Sequence, residues 1–230
     1  MAEIILIEDV HFDYGVSGFE LTIPSFTLSA GERVLLLGPS GIGKSTFLNL
    51  ITGVLQPRRG RICLLEQELT KLTAAQSDQC RGDHVGLIYQ TLNLVPWLTA
   101  RENVALGVAF SKRRQQRLHG SVDEATKHLM DRLGLSYDAY GEARAERLSI
   151  GQQQRIGAAR ALIGAPELII ADEPTSALDR PNAIKFLDLV FSSMDHNAQG
   201  FLMVSHDDRL ADGFSRVIQF EDLMTMGARS

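Results

Sequence analysis

Cysteine is scarce in this sequence, with only Cys63 and Cys80 among 230 residues. Two cysteines cannot form a disulfide framework, and their spacing matches no metal-ligand pattern, so we interpret both as reduced thiols of a cytosolic protein. A surplus of positive charge is also missing, because 28 acidic and 23 basic residues give a formal net charge of -5. Non-specific binding to nucleic acid depends on neutralising phosphates with Lys and Arg, so we expect no nucleic-acid partner.

Long apolar stretches are absent as well. No run of about 18 residues is apolar, and the N-terminus has no basic leader, so neither a membrane-spanning helix nor a signal peptide is expected. What the sequence does contain is an ordinary globular composition, with 44% hydrophobic and 22% charged residues. Disorder is therefore excluded. Any contact with a membrane is expected to come through a partner chain.

Three short apolar runs predict buried strands of a parallel sheet: residues 34–37, 168–171 and 201–204. Each is followed by polar or glycine-rich residues, which is typical of the sheet edge where α/β proteins bind ligands. Alternating and β-branched residues over 3–28 predict an antiparallel flap instead. Between Leu98 and Leu148 the pattern turns helical, most clearly over 121–133, and predicts a helical subdomain inserted in the α/β core.

The sequence contains one basic run, KRRQQR at residues 112–117. Such a run is typical of a solvated loop or helix face. Contact with an anionic membrane surface is the alternative.

A phosphate-binding loop follows the first of the predicted strands. The motif G-x-x-x-x-G-K-[ST] is matched in full, and Thr46 opens a helical run behind it; the matching residues are Gly38, Pro39, Ser40, Gly41, Ile42, Gly43, Lys44 and Ser45. The glycines let backbone amides turn around phosphate oxygens, and the helix directs its positive end at the same place. We expect Lys44 to contact the terminal phosphates of a nucleotide and the Ser45 hydroxyl to complete the coordination of Mg²⁺.

Two adjacent carboxylates, Asp172 and Glu173, directly follow the apolar run 168–171. They supply the second metal anchor that a P-loop nucleotidase requires, and Asp172 is predicted to hold Mg²⁺ through water. Glu173 is then placed to polarise the water that attacks the γ-phosphate. The guanine-specific class is disfavoured, because the sequence has no N/T-K-x-D element.

The stretch LSIGQQQR, residues 148–155, resembles the LSGGQ signature of ATP-binding-cassette (ABC) ATPases. Other elements similar to those of that family appear in order around it. Tyr14 resembles the aromatic residue that stacks on adenine, Gln90 the Q-loop glutamine and His206 the switch histidine. The signature positions are Leu148, Ser149, Ile150, Gly151 and Gln152, and those of the D-loop are Ser176, Ala177, Leu178 and Asp179. The resemblance covers essentially the whole chain.

This resemblance implies an α/β fold. The expected architecture is a P-loop NTPase with a RecA-like, mainly parallel sheet core, an N-terminal antiparallel β subdomain and an α-helical subdomain inserted at about residues 91–160. All of it would form a single ABC ATPase domain over 1–230. The resemblance also implies ATP as substrate and Mg²⁺ as cofactor, with Gln90 joining Ser45 and Asp172 around the metal and Thr46 among the ATP contacts.

The resemblance further implies a head-to-tail homodimer, in which the signature of one chain binds the ATP held by the other. Ser149 is expected to cap the helix that follows it, and Gly151 to leave the amides of the turn accessible. Hydrolysis at Glu173, with His206 contacting the γ-phosphate and the attacking water, would then open the dimer.

Ile150 departs from the family pattern, since it stands where the first glycine of the signature is expected. A β-branched residue restricts the backbone, whereas glycine permits close approach to phosphate. Our hypothesis is that Ile150 slows or loosens closure without abolishing it.

The segment 91–104 is unusually apolar for a loop and contains the only tryptophan, Trp97. Its apolar residues either pack the helical subdomain or form a groove for a helix of a membrane subunit, with Trp97 as anchor. The string NLVPWLTARENV is similar to cassettes of the lipoprotein-release and macrolide-export group, which implies export or extraction of a substrate. The short stretch after His206 agrees, because it leaves no room for an appended regulatory domain.

The resemblance thus implies an ATPase subunit at the cytoplasmic face of the inner membrane, attached peripherally to a separately encoded permease. The alternative is a soluble ABC ATPase that remodels a nucleic-acid or ribosomal complex, which the acidic charge disfavours. A scaffold without turnover is disfavoured because Glu173 and His206 are both present.

Overall fold

The computed structural model describes residues 2–15 and 18–224. The strands are Glu3–Asp13 (β1), Glu20–Ser29 (β2), Arg33–Leu37 (β3), Arg59–Leu64 (β4), Gln67–Glu68 (β5), Val85–Ile88 (β6), Leu168–Asp172 (β7), Gly200–Ser205 (β8) and Arg216–Gln219 (β9). The α-helices are Lys44–Ile51 (α1), Ala74–His84 (α2), Ala100–Ala109 (α3), Lys112–Gln116 (α4), Val122–Arg132 (α5), Tyr137–Tyr140 (α6), Ile150–Leu162 (α7), Arg180–Ser192 (α8) and Phe220–Leu223 (α9). Short 3-10 helices cover Leu69–Lys71, Ala145–Arg147 and Asp208–Gly213.

These elements form two compact units, Met1–Arg81 with Gly200–Ser230 and Gly82–Gln199. We call them the first and the second unit. Across 2–15 and 18–224, no helix is long and apolar enough to cross a bilayer. The last residues of the C-terminal stretch, 225–230, lie outside the described residues.

The first unit contains an antiparallel sheet with the strand order β2-β1-β4-β5. Along β1, the side chains of Ile5 and Ile7 are buried while that of Glu8 is exposed. Strand pairing places Ile7 opposite Phe26 of β2 and Ile62 of β4, so these apolar side chains share one face of the sheet. The antiparallel flap predicted from the N-terminal pattern is confirmed.

A parallel arrangement of strands in the same unit supports the phosphate-loop motif. β3 pairs in parallel with both β8 and β9. Residues 34–37 of β3 are all buried, as expected for a strand covered on both faces. The pairing places Leu37 opposite Ser205, the last residue of β8. The loop 38–43 then joins β3 directly to α1, so the predicted order of strand, loop and helix is present.

In the second unit β6 and β7 pair in parallel, with Ile88 opposite Ala171. Residues 168–171 of β7 are buried, and Asp172 at its end is half-buried. Helices α3 to α7 occupy the chain between these strands, and α3, α5 and α7 each begin with a capping box. The predicted α/β class is confirmed. The boundaries of a single domain and of an inserted subdomain stay predictions.

The basic run forms α4 and the residue after it. Arg114 is buried and donates to the carbonyl of Ile163, at 2.5 and 3.0 Å, just beyond the end of α7. Arg113 and Arg117 bind the Glu167 carboxylate, at 2.8 and 2.5 Å. The predicted solvated helix face holds for the exposed residues of the run, which are Lys112, Arg113, Gln115 and Gln116. It is wrong for Arg114, which is buried. All three arginines fasten the turn between α7 and β7.

Candidate nucleotide-binding site

The phosphate loop is shaped around Lys44. Gly41 and Gly43 have φ values of +83° and +117°, in the left-handed region that favours glycine. The first turn of α1 contains no acidic residue, so nothing in that turn opposes an anion at the positive end of the helix. The buried Lys44 side chain donates from Nζ to the carbonyls of Gly38, at 2.6 Å, and Pro39, at 3.0 Å. The loop thus folds around an ammonium group next to the amides that would hold a phosphate.

Aromatic side chains border the phosphate loop. The side chain of Tyr14 is 47% exposed, and its hydroxyl lies 3.0 Å from the hydroxyl of Thr46 in α1. Phe19 packs against the loop itself, since a Cβ atom added to Gly43 would lie 2.8 Å from the Phe19 ring. The ring centroids of Tyr14 and Phe19 are 5.8 Å apart. Sequence reasoning named Tyr14 and Thr46 but missed Phe19, whose signal is an aromatic residue shortly after Tyr14.

His206 follows β8 at the same sheet edge as the phosphate loop. The amide of Gly38 donates to the carbonyl of Ser205 at 3.2 Å, which ties the start of the loop to the residue before His206. The His206 side chain is exposed. The first unit therefore brings together the phosphate loop, Tyr14 and His206.

The end of β7 presents the two predicted carboxylates, Asp172 and Glu173, both half-buried. Glu173 has φ +44°, a left-handed conformation that costs a non-glycine residue about 1–3 kcal/mol. The amide of Ser176 donates to the Glu173 carbonyl at 3.2 Å, and Gln154 of α7 donates to the carbonyl of Pro174 at 3.1 Å. Hydrogen bonds to the carbonyls of Glu173 and Pro174 thus fix the turn that contains Glu173. Sequence reasoning missed Gln154, because its acceptor is a backbone group.

Gln90 and the D-loop lie near the same strand ends. Gln90 closely follows Ile88 of β6, which pairs with Ala171 of β7. The Gln90 amide donates to the Ser176 hydroxyl at 3.4 Å, so the Q-loop and the D-loop are in contact. Asp179 accepts from the amide of Asn182 at 3.0 Å and caps α8; Ala177 and Leu178 complete the turn between Ser176 and this cap.

The signature forms the capped start of α7. The amide of Gln152 donates to the Ser149 hydroxyl at 3.3 Å, and the Gln152 side chain accepts from the Ser149 amide at 2.8 Å. Ser149 therefore caps the helix as predicted, and Leu148 before it is buried. A Cβ atom added to Gly151 would meet nothing within 4 Å, so the surface above this turn is open. The arrangement can accept an anion that approaches from outside the chain.

Ile150 is the first residue of α7 and its side chain is 61% exposed. Helical backbone is open to any residue, so the backbone restriction that we expected from the β-branched side chain is not what distinguishes this position. The difference from glycine is instead the bulk of an exposed aliphatic side chain beside Gly151.

The apolar segment 91–104 is folded around a buried asparagine. Asn103 accepts from the amide of Val95 at 2.8 Å and donates to the Val95 carbonyl at 3.1 Å. Leu94 and Leu98 are half-buried, whereas the Trp97 side chain is 69% exposed. Packing accounts for part of the segment, but not for Trp97.

The predicted metal donors divide between the units, with Ser45 in the first and Asp172 and Gln90 in the second. All three offer oxygen atoms, which are the donors that Mg²⁺ prefers, so the residues fit that ion. Within the part of the chain that the structure describes, no group of three or more His, Cys, Asp or Glu side chains could hold a metal ion. The predicted Mg²⁺ donors differ from such a group, because only one of them, Asp172, is a carboxylate.

Comparisons with known proteins give a consistent result. A family profile described as ABC transporter matches residues 21–176. The lipoprotein-releasing system ATP-binding protein LolD of Acinetobacter baylyi is 35% identical over 226 residues, covering 96% of this chain and 97% of that protein. Two solved structures of MJ0796, a bacterial ABC transporter cassette, each match with a TM-score of 0.79 over 94% of both chains. One is described as dimeric, at 29% identity, and the other as a dimeric post-hydrolysis state bound to ADP and Pi, at 30%.

Proposed function

Because this chain belongs to the ABC transporter family and is an ATP-binding, ATP-hydrolysing subunit of that family's kind, we propose that it drives a separately encoded membrane permease. The driving step would be the ATP-dependent closure of a homodimer. The observation that carries the proposal is the presence of two anion-accepting helix N-termini in one chain. The phosphate loop precedes α1, and the open, capped turn at Gly151 precedes α7. In a head-to-tail pair, each ATP would contact α1 of one chain and α7 of the other.

Nucleotide binding is assigned to the first unit. Lys44 and the amides of the loop 38–46 would hold the phosphates, since the loop already surrounds the ammonium group. The Tyr14 ring would stack on adenine, beside Thr46. Ser45, Asp172 and Gln90 would hold Mg²⁺, which when bound supplies charge neutralisation at the β- and γ-phosphates.

Hydrolysis is assigned to Glu173 and His206. The Glu173 carboxylate would orient a water molecule and accept its proton as the water oxygen attacks the γ-phosphorus. The bond between that phosphorus and the β–γ bridging oxygen breaks, and ADP with phosphate remains. His206 would donate a hydrogen bond to the γ-phosphate. Loss of the γ-phosphate removes the anion that joins the two chains, so the dimer opens.

Coupling to the membrane is assigned to the segment 91–104. Trp97 is exposed on a segment that Asn103 holds in a fixed conformation, which suits a preformed contact for a helix of the permease. The likeness to a lipoprotein-releasing ATP-binding protein supports export or extraction as the direction of work. The chain would then act at the cytoplasmic face of the inner membrane, attached through its partner.

Co-expression with candidate membrane subunits tests the proposal. We expect co-purification in detergent with a four-span protein that has a large extracytoplasmic domain, and a higher ATPase rate in the complex. Trp97→Ala should weaken the complex, whereas Phe110→Ala, at an aromatic residue that is even more exposed, should not. A chain that instead co-purifies with ribosomes or nucleic acid would contradict the transport assignment.

A further inference from the structure

We propose that Arg160 is a positioning residue for the ATPase reaction: it holds the backbone directly after Gln90 and thereby sets where the Gln90 side chain lies. The inference rests on the proposed role of Gln90 as a ligand of the metal. Arg160 lies in the last turn of α7, the helix that begins at the signature.

The backbone after Gln90 adopts a conformation that needs support. Leu92 and Asn93 have φ values of +57° and +44°. Two consecutive non-glycine residues in the left-handed region are unfavourable on their own, so contacts from elsewhere must maintain them. Gly157 of α7 lies close to this backbone, since a Cβ atom added there would lie 4.0 Å from both Leu92 Cδ2 and the Leu92 carbonyl oxygen.

Arg160 engages both of these residues at once. Its Nη2 donates to the carbonyl of Leu92 at 2.7 Å, and its Nη1 donates to the carbonyl of Asn93 at 2.6 Å. A planar guanidinium presents its donors in a fixed fork, so one side chain can fix the directions of two successive carbonyls. Burial lowers the pKa of Arg160, as expected for a cation whose partners are protein carbonyls rather than water.

These contacts extend to the catalytic turn. Gln90 donates to the Ser176 hydroxyl, and the amide of Ser176 donates to the Glu173 carbonyl. A shift of the backbone at Leu92 would therefore move Gln90 relative to Ser176 and to the turn that carries Glu173. Arg160 acts through the position of Gln90, and it does not itself contact the reacting atoms.

A double-mutant cycle with Gln90→Ala tests this inference. Arg160→Met keeps a long side chain and removes the guanidinium, and Arg160→Lys keeps the charge but cannot form the fork. Arg132→Met is the matched control, because Arg132 of α5 lies outside the proposed site and donates to a carbonyl outside the Q-loop, that of Ser192. The measurements are kcat and KM for ATP with Mg²⁺, together with hydrogen exchange of the peptide that contains residues 90–94.

We expect Arg160→Met to lower kcat about tenfold or more, with a smaller change in KM, and to accelerate exchange over 90–94. Arg160→Lys should recover part of the rate, and Arg132→Met should change neither kcat nor the exchange over 90–94. In the Gln90→Ala background, Arg160→Met should lower kcat little further, because both substitutions remove the contribution of a correctly placed Gln90 side chain. Losses that multiply in the double variant, or unchanged exchange over 90–94, would overturn the inference while leaving the role of Gln90 intact. Full activity of Gln90→Ala alone would contradict the proposed role of Gln90, and the inference with it.

Discussion

Glu167 lies directly before β7 and is bound by three cationic or polar side chains. Its carboxylate lies 2.9 Å from His84 Nδ1, 2.8 Å from Arg113 Nη2 and 2.5 Å from Arg117 Nη2. Burial alone would raise the pKa of this carboxyl, but the hydrogen bonds from His84, Arg117 and Arg113 outweigh it and hold the pKa far below its usual range. The negative charge of Glu167 therefore stabilises the fold at neutral pH.

Glu167→Gln removes this charge and changes the shape very little. A hydrogen bond to a charged group contributes about 1.5–3 kcal/mol and a neutral one about 1 kcal/mol. The arginines are partly exposed, with 46% of the Arg113 and 33% of the Arg117 side chain accessible, so their contribution is reduced by solvent. We expect a loss of about 2–3 kcal/mol, which for a chain of this size lowers Tm by about 5–10 °C.

The loss should depend on pH in a defined direction. A carboxyl whose pKa is depressed in the folded state contributes stability above its unfolded pKa of about 4.3, and loses it as the pH falls toward the folded value. Thermal unfolding of the two proteins should show the full difference at pH 7, and the difference should shrink below about pH 4. Glu66→Gln, at an exposed carboxylate, serves as the control and should leave Tm unchanged. A Tm of Glu167→Gln equal to the parent at pH 7, or a difference that grows in acid, would refute this reasoning.

Other predictions concern the nucleotide contacts. Lys44→Ala should abolish ATP binding, because the loop loses its ammonium group, and retained affinity in titration calorimetry would remove the phosphate-loop assignment. Gly151→Ala should leave Tm unchanged or slightly higher, since the added Cβ meets open space within the chain, yet lower ATPase activity about tenfold or more by obstructing the other chain's phosphate. Equal activity of the two proteins would contradict contact at this turn. Ile150→Gly should raise the ATPase rate of the assembled transporter, and an unchanged rate would reject the hypothesis that Ile150 slows closure.

Contiguous motifs made the first unit predictable. The phosphate loop lies within a few residues of the chain, and the buried strand before it carries the apolar run expected of a covered parallel strand. Phe19 escaped prediction, because its contact with Gly43 joins residues that are far apart in the sequence.

Side chains that bind backbone carbonyls were not predictable. Arg114 was interpreted as part of a charged surface, but it donates to carbonyls near the end of α7. Gln154 and Arg160 likewise bind carbonyls far away in the sequence. Every residue has a backbone carbonyl, so residue types do not indicate which carbonyl a side chain will bind. Only the folded chain identifies these partners.

Backbone conformation was the other feature that the sequence did not predict. Leu92, Asn93 and Glu173 have backbone dihedrals in the left-handed region, which non-glycine residues adopt only rarely. Tertiary contacts hold them there. The same reasoning corrects the view of Ile150, whose helical backbone requires no glycine.

The oligomeric state of Glu173→Gln with ATP tests the central claim most directly. This substitution should retain ATP binding and remove the base that activates water, so ATP would persist between the two chains. Light scattering after size exclusion should give the mass of a dimer with ATP and Mg²⁺, and that of a monomer with ADP or when Lys44→Ala is added. A monomer at saturating ATP and Mg²⁺ would contradict the ATP-bridged dimer.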